Sequence, residues 1–108
     1  MRLLPALNPL PAALLLATAA LPVAAQDVGA LRQQALAATC ANCHGTQGRA
    51  VDGAAVPGLA GMPAAYMVDQ LKTFKAGTRP ATVMHQLAKG YSDSQIDQLA
   101  AYFAAQKK

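Results

Sequence analysis

The sequence predicts a small all-α domain of about four short helices, and three observations support this fold class. Four stretches of the chain carry apolar residues at helical spacing, and no stretch alternates apolar and polar residues as a β-strand does. Clusters of Gly and Pro separate these stretches. The chain has 108 residues, and because residues 1–25 predict an export signal, the folded domain is expected at residues 26–108.

Residues 1–25 have the composition of a cleavable export signal. Met1 and Arg2 precede an apolar stretch over residues 10–21, and small residues stand before the expected cleavage after Ala25. A membrane anchor is the alternative, but it requires about 20 uninterrupted apolar residues, and several prolines interrupt this segment. We therefore expect export to the periplasm and no membrane span after cleavage.

The first two predicted helices flank a long glycine-rich loop. The first runs from Asp27, its N-cap, to Ala38. Its apolar face comprises residues spaced by three or four, namely Val28, Leu31, Ala35 and Ala38. The loop spans residues 45–62, and its length suggests that it wraps around something. The second helix runs from Pro63 to a C-cap at Gly77. Its predicted buried residues are Met67, Leu71 and Phe74.

The last two predicted helices differ in length. A short helix of at most two or three turns is expected around Val83, Met84 and Leu87, before Gly90. The final helix begins at Ser92, where the run S-D-S-Q fits a capping box. Its apolar face comprises Ile96, Leu99, Ala100 and Phe103. We expect this final helix to pack across the first.

The composition leaves the domain short of core-forming side chains. Alanine accounts for 26 of the 108 residues, Trp is absent and aromatic residues are few. Domains this small usually need a disulfide, a metal or a prosthetic group to be stable. The formal net charge is +4 and the basic residues are scattered, which argues against a nucleic-acid surface. The small core therefore predicts an additional stabilising group.

One motif can supply such a group. Cys40-Ala41-Asn42-Cys43-His44 is a C-x-x-C-H sequence, the attachment signature of a c-type haem. On one helical turn Cys40, Cys43 and His44 share a face, so two thiols can bond to the haem vinyl groups while the imidazole binds the iron. A covalently attached haem also adds apolar area that cannot dissociate, worth about 25 cal/mol per Å² buried.

Three other interpretations of the motif agree less well with its surroundings. A thioredoxin-type redox pair needs a βαβ context, which the sequence lacks. A zinc site formed by Cys40, Cys43, His44 and His85 would require the adjacent Cys43 and His44 to bind one tetrahedral ion. A disulfide between the two cysteines is cramped by their short separation. The haem interpretation agrees with both the predicted export and the small core.

The second axial ligand of the iron is expected from the C-terminal half of the chain. The candidates are Met62, Met67, Met84 and His85. Met67 belongs to the predicted buried face of a helix, and Met62 stands at the start of that helix. Met84 follows His44 by 40 residues, in a short irregular segment. Met84 is therefore the predicted iron ligand, with His85 or an open iron as the alternatives.

The chain resembles the class I c-type cytochromes over nearly all of residues 27–106. Three segments are similar to one haem domain of the cytochrome c4 group: CANCHGTQG, VPGLAGMPAAYMVDQLKTFKAGTRP and VMHQLAKGYSDSQIDQLAAYFAAQ. Within that group the chain is most similar to the monohaem cytochrome subunit of flavocytochrome c sulfide dehydrogenase. The resemblance implies a fold of short helices wrapped around one haem. It also implies that Met84, which stands eight residues before Ser92, binds the haem iron. It further implies that the Pro57 carbonyl binds the second ring nitrogen of His44.

The resemblance also implies a function. The chain is expected to transfer electrons through one covalently bound haem c and not to be an enzyme on its own. Its expected donor is a flavoprotein that oxidises sulfide, and its expected acceptor is a soluble or membrane-bound cytochrome. A freely diffusing shuttle cytochrome of the respiratory chain is the alternative, and a five-coordinate haem protein that binds ligands or acts as a peroxidase is another. Arg49 and Lys72 are candidates to approach a haem propionate.

Overall fold

Five α-helices make up most of the described part of the chain, residues 27–108, in a computed structural model. In chain order they are α1 (Val28–Ala38), α2 (Ala41–His44), α3 (Ala64–Ala76), α4 (Met84–Lys89) and α5 (Asp93–Ala104), with a short 3-10 turn over Thr46–Gly48. Residues 27–108 contain no β-strand, so the predicted all-α class is confirmed. The expected export signal, residues 1–25, lies outside the described residues.

The helix ends follow from the sequence. The Asp27 carboxylate accepts a hydrogen bond from the Gly29 backbone N–H at 2.8 Å, as an N-cap does. Gly77 ends α3 with a φ of +76°, a left-handed conformation that favours glycine. Ser92 and Gln95 form a reciprocal capping box at the start of α5. All four predicted helices are present, and α2 is an additional single turn that carries the C-x-x-C-H motif.

Helix α5 supplies most of the protein core. Its buried side chains are those of the predicted face, Ile96, Leu99, Ala100 and Phe103. Except for Ile96, they cluster with Ala37 of α1 and Met67 of α3. The Gln33 side chain on α1 donates to the Gln98 carbonyl on α5 at 3.0 Å. Helix α5 thus packs across α1, as the sequence predicts.

The predicted apolar face of α1 is wrong. Val28 and Leu31 are 59% and 44% exposed, and Ala35 and Ala38 are exposed as well. The side chains that turn inward are Leu36 and Ala37, next to Cys40. Because alanine occurs both on the predicted face, at Ala35 and Ala38, and on the buried side, at Ala37, spacing alone does not distinguish the faces. The position of the motif that follows decides which face is buried.

The loop over residues 45–62 is held by backbone hydrogen bonds. The Gly48 carbonyl accepts from the N–H groups of Leu59 and Ala60, at 2.7 and 3.1 Å. The Gly61 N–H donates to the carbonyl of Phe103 in α5 at 2.9 Å. These bonds give the loop one defined path from the motif turn to α3.

Among the helices described within residues 27–108, none has the length and apolar character needed to cross a bilayer.

Candidate functional site

Helices α2, α3, α4 and α5 all contribute to one cavity of about 590 Å³, and Thr39, which ends α1, also lines it. The motif turn forms one wall, the loop forms the next, and side chains of α3 and α4 line the remainder. Leu99 and Phe103 of α5 reach it from the core. Most lining residues are apolar or aromatic, which is typical of a pocket for a hydrophobic ligand.

The motif turn brings three potential haem-binding side chains to this cavity. Cys40 caps α2, and its carbonyl accepts from the N–H groups of Cys43 and His44 at 3.3 and 3.0 Å. Cys40, Cys43 and His44 all line the cavity, as their spacing on one turn predicts. Both cysteines are free thiols. Burial raises the pKa of the Cys40 thiol, although hydrogen bonds with Thr39 and Tyr91 oppose that shift.

His44 is oriented by the backbone of the loop. Its side chain is buried, and its Nδ1 atom lies 2.7 Å from the Pro57 carbonyl oxygen. Since a carbonyl only accepts hydrogen bonds, the ring proton sits on Nδ1. In the neutral imidazole this tautomer leaves the lone pair on Nε2, which is the form of histidine that binds a metal.

Three methionines, Met62, Met67 and Met84, line the same cavity. Met67 is a buried member of the core cluster, and Met62 packs against that cluster. Met84 begins α4, is half-buried and is not part of the cluster. His85 does not line the cavity, and its Nδ1 atom is buried without a hydrogen-bond partner among residues 27–108. The structure therefore places Met84 at the same cavity as the motif, together with two methionines that contribute to packing.

The residues of this cavity fit a haem. Two thiols and an imidazole with a free Nε2 stand on one wall, and the apolar side chains of Leu71, Phe74 and Leu87 face the same space. The alternative zinc site is not assembled, because residues 27–108 contain no group of three His, Cys, Asp or Glu side chains placed to hold a metal.

Two polar features of the cavity wall were not predicted as site residues. Arg79 lines the cavity, with its guanidinium 4.5 Å from the centroid of the Phe74 ring. The Tyr91 hydroxyl lies 2.9 Å from that of Thr39, next to Cys40. Spacing carries no signal for either feature, because both depend on contacts between separate elements. Arg49, one of the sequence candidates for a propionate contact, instead donates to the Lys107 carbonyl at 2.8 Å and does not line the cavity.

Comparisons with known proteins agree with the interpretation of this cavity as a haem site. The family model "Cytochrome c" matches residues 31–107. A thiosulfate dehydrogenase electron acceptor from Thiomonas intermedia is 42% identical over 71 residues, which are 66% of this chain but 33% of that protein. A cytochrome subunit of sulfide dehydrogenase from Chlorobaculum tepidum is 38% identical over 80 residues, covering 74% of this chain and 71% of that protein. A cytochrome c4 from Pseudomonas aeruginosa is 39% identical over 74 residues, covering 68% and 36%.

These matches confirm the resemblance to class I c-type cytochromes of the c4 group. The chain spans only about a third of the thiosulfate dehydrogenase electron acceptor and of the cytochrome c4. The family carries a covalently bound haem c and transports electrons, and Cys40 and Cys43 stand at its attachment spacing. With its family model matched from residue 31 to residue 107, the chain belongs to the cytochrome c family.

Proposed function

We propose that this chain is a periplasmic electron carrier with one haem, attached through Cys40 and Cys43, whose iron is bound by His44 and Met84. The observation that carries the proposal is the single cavity that the C-x-x-C-H turn and Met84 share. The domain comprises residues 26–108, and residues 1–25 act as a signal peptide that is removed on export.

The proposed role of Met84 rests on how the three cavity methionines are used. The Met67 and Met62 side chains take part in packing the core, and moving either sulfur would leave a gap there. The Met84 side chain is half-buried at the first residue of α4, outside that cluster. A thioether there is available to a metal, and thioether ligation raises the potential of a haem iron.

The chain's own residues prepare the site for electron transfer. When bound, the haem supplies a one-electron couple at its iron. The Pro57 carbonyl holds the proton of His44 on Nδ1, which keeps Nε2 available and makes the imidazole a better donor. The thioether of Met84 would hold the iron together with His44 and would keep small ligands from binding it. The apolar walls exclude water, which favours the less charged state of the site.

The proposed electron donor is a flavoprotein that oxidises sulfide, and the proposed acceptor is a soluble or membrane-bound cytochrome. Two relatives support a donor that oxidises reduced sulfur: one is named a subunit of sulfide dehydrogenase, and the other an electron acceptor of thiosulfate dehydrogenase. The chain would then be the subunit that carries electrons, while its partner performs the substrate chemistry.

Absorption spectra test the proposed ligation. The mature protein is made with a cytochrome c maturation system, and ferric and ferrous spectra are recorded with and without carbon monoxide. We expect a low-spin haem with the weak red band of sulfur-ligated ferric iron and no response to carbon monoxide. Met84→Ala should lose the red band and bind carbon monoxide, whereas Met62→Ala is the matched control and should keep both wild-type properties.

Two results would contradict the ligation by Met84. One is a Met84→Ala variant with an unchanged ferric spectrum, and the other is a wild-type haem that binds carbon monoxide rapidly. The second result would favour the five-coordinate alternative, a protein that binds ligands or reacts with peroxide.

The intact mass of the exported protein tests the signal, because cleavage after Ala25 leaves a chain that begins at Gln26.

Copurification from the native periplasm tests the proposed partner. A subunit of a sulfide dehydrogenase should elute together with a flavoprotein, and sulfide should then reduce its haem in the purified complex. A cytochrome that elutes alone and is not reduced by sulfide would instead be a freely diffusing shuttle.

A further inference from the structure

The Pro57 carbonyl that orients His44 belongs to a segment with few contacts of its own. Residues 50–57 are mostly exposed, and the one backbone hydrogen bond within them runs from the Ala54 N–H to the Val51 carbonyl at 3.1 Å. A segment held this weakly opens easily, yet its last carbonyl lies 2.7 Å from an imidazole nitrogen. The position of that carbonyl is therefore set by the residues on either side of the segment.

Gly48 joins the two sides. Its carbonyl accepts from the N–H groups of Leu59 and Ala60 at 2.7 and 3.1 Å, only two and three residues after Pro57. Gly48 is buried, and a Cβ atom on it would stand 2.8 Å from the ring of Phe103 in α5. The carbonyl of Gly48 thus carries the chain around Pro57, and whatever fixes this backbone also fixes Pro57.

Arg49, the next residue, attaches this backbone to the segment that follows α5. Its side-chain Nε donates to the Lys107 carbonyl at 2.8 Å, and its Nη1 donates to the side-chain oxygen of Gln47. Its own backbone N–H donates to the Thr46 carbonyl at 3.1 Å. One side chain therefore joins the turn that follows His44 to residues at the far end of the fold.

The other side of the segment is attached to the same part of the molecule. The Gly61 N–H donates to the Phe103 carbonyl at 2.9 Å, near the end of α5. The weakly held residues 50–57 are thus suspended between two attachments, Arg49 before them and Gly61 after them. Both attachments end on the last turn of α5 or on the residues that follow it.

We propose that Arg49 is a positioning residue for His44, because its bond to the Lys107 carbonyl keeps the Pro57 carbonyl within hydrogen-bonding distance of Nδ1. The inference rests on the proposed ligation of the haem iron by His44. The hydrogen bond at Nδ1 fixes the tautomer of the imidazole and increases its basicity. Residues more than 50 positions after the motif therefore contribute to how its histidine is held.

The expected effect of Arg49 is local. The bond between Arg49 and the Lys107 carbonyl is exposed, and a hydrogen bond of this kind contributes little to the stability of a whole domain. Its loss should instead let the loop open without the helices, because the core around α5 does not depend on it. An opening of the loop would break the bond between Pro57 and His44 and expose the Nδ1 proton to water.

Hydrogen exchange in the haem-loaded protein tests the proposal. NMR of the ferrous form measures how fast the Nδ1 proton of His44 exchanges with deuterium, and the backbone amide of Leu99 in α5 reports on opening of the whole fold. Arg49→Gln removes the donor. Lys107→Gln is the matched control, because it removes an equal charge from the other end of the same bond and keeps the carbonyl that accepts it.

We expect the Nδ1 proton of Arg49→Gln to exchange about fivefold faster than that of the wild type, the change that corresponds to one hydrogen bond. The Leu99 amide should keep its wild-type rate. Both rates should stay unchanged in Lys107→Gln, because the proposal assigns no role to the side chain of Lys107.

Two results would overturn the role of Arg49 and leave the proposed haem site intact. One is a wild-type exchange rate of the Nδ1 proton in Arg49→Gln. The other is an equal acceleration of the Nδ1 proton and the Leu99 amide, because Arg49 would then support only the fold as a whole. A wild-type chain without covalent haem would overturn both proposals.

A second variant decides the question if Arg49→Gln does not fold. Gln47→Asn keeps every charge, and asparagine tolerates the left-handed backbone at this position, where φ is +56°. Its side chain is one CH₂ shorter, so its oxygen is withdrawn from the guanidinium that it orients. Faster exchange of the Nδ1 proton with an unchanged Leu99 rate supports the inference, and a wild-type Nδ1 rate overturns it.

Discussion

Helices α4 and α5 are both amphipathic in sequence, yet they use their apolar side chains differently. On α5, Phe103 is 2% exposed and packs against α1 and α3. On α4, Leu87 lines the cavity and is 50% exposed. The comparison shows that the chain completes one half of its core by itself. The other half is an apolar wall along the cavity, which a bound haem would cover.

The largest expected effect comes from removing the haem that completes the α4 side. The double variant Cys40→Ala/Cys43→Ala should lose covalent haem entirely. Burial of a few hundred Å² of porphyrin, at about 25 cal/mol per Å², is worth roughly 5 kcal/mol or more, so the melting temperature should fall by about 20 °C or more. Haem-stained denaturing electrophoresis and thermal melting by circular dichroism measure both effects.

Asn42→Ala is the matched control for the double variant, because it changes the exposed residue between the two thiols. It should keep the haem and melt close to the wild type. If the haem-free double variant also melted close to the wild type, the α4 side would not depend on the prosthetic group, and the contrast between the two helices would disappear.

A second substitution acts on the α5 side. Ile96 is fully buried, so Ile96→Ala should lower the free energy of unfolding by about 2–5 kcal/mol, because the cavity it leaves is only partly refilled. Its haem spectrum should not change. Leu87→Ala is the counterpart on α4, and it should cost less stability but alter the haem spectrum. Denaturant unfolding and absorption spectra check this pair, and the reverse pattern would show that the two sides had been assigned wrongly.

The glycine that follows the motif provides a third test. Gly45 has a φ of +82°, and a Cβ atom there would stand 2.0 Å from the Arg49 carbonyl oxygen. Gly45→Ala should therefore destabilise the protein by roughly 2–4 kcal/mol. Gly53 has a φ of +76° with no atom within 4 Å of such a Cβ, so Gly53→Ala should cost only the left-handed backbone, about 1 kcal/mol. Equal losses in chemical denaturation would contradict a steric role for the tight turn after His44.

The smallest effect concerns an ion pair that joins α3 to α5. The Lys75 ammonium lies 2.9 Å from the Asp93 carboxylate, and this hydrogen bond together with the nearby positive charge lowers the pKa of Asp93 below 3.8. Since the folded-state pKa is the lower one, the stabilisation is present at neutral pH and disappears as the pH falls through that value. Asp93→Asn should therefore melt slightly below the wild type at pH 7, and the difference should shrink at acidic pH.

Asp97→Asn is the control for this ion pair, because Asp97 is exposed on the same helix and has no ion-pair partner among residues 27–108. Its melting temperature at pH 7 should match that of the wild type. An Asp93→Asn variant with that behaviour would mean that the ion pair does not contribute to stability.

The sequence predicts the two helices of this comparison unequally well. The capping box at Ser92 and the spacing of four large or buried residues on α5 identify its start and its inner face, because both signals are local. The sequence also predicts the short helix at Met84. The group that covers its apolar side chains, the haem, is indicated only by the C-x-x-C-H motif, 40 residues earlier. A pattern within one helix does not report the partner of that helix.

The sequence likewise predicts some residues of the candidate site and misses others. The shared face of Cys40, Cys43 and His44 follows from their spacing on one turn. The 2.7 Å approach of Pro57 to His44 depends on the path of a loop, and that path depends on hydrogen bonds such as those to the Gly48 carbonyl. The position of Arg79 at the cavity wall likewise depends on where α3 ends and the chain turns. Such positions are set by contacts between distant segments, which composition and periodicity do not encode.

The loop that contains Pro57 is tied to a part of the chain that is synthesised much later. The Gly61 N–H bonds to the Phe103 carbonyl, and the Arg49 side chain bonds to the Lys107 carbonyl, 58 residues further along. The loop therefore cannot take its final path until α5 has been made and has docked. Until that docking the two thiols of the motif are uncovered, so a haem can be attached to the unfolded chain before the fold closes over it.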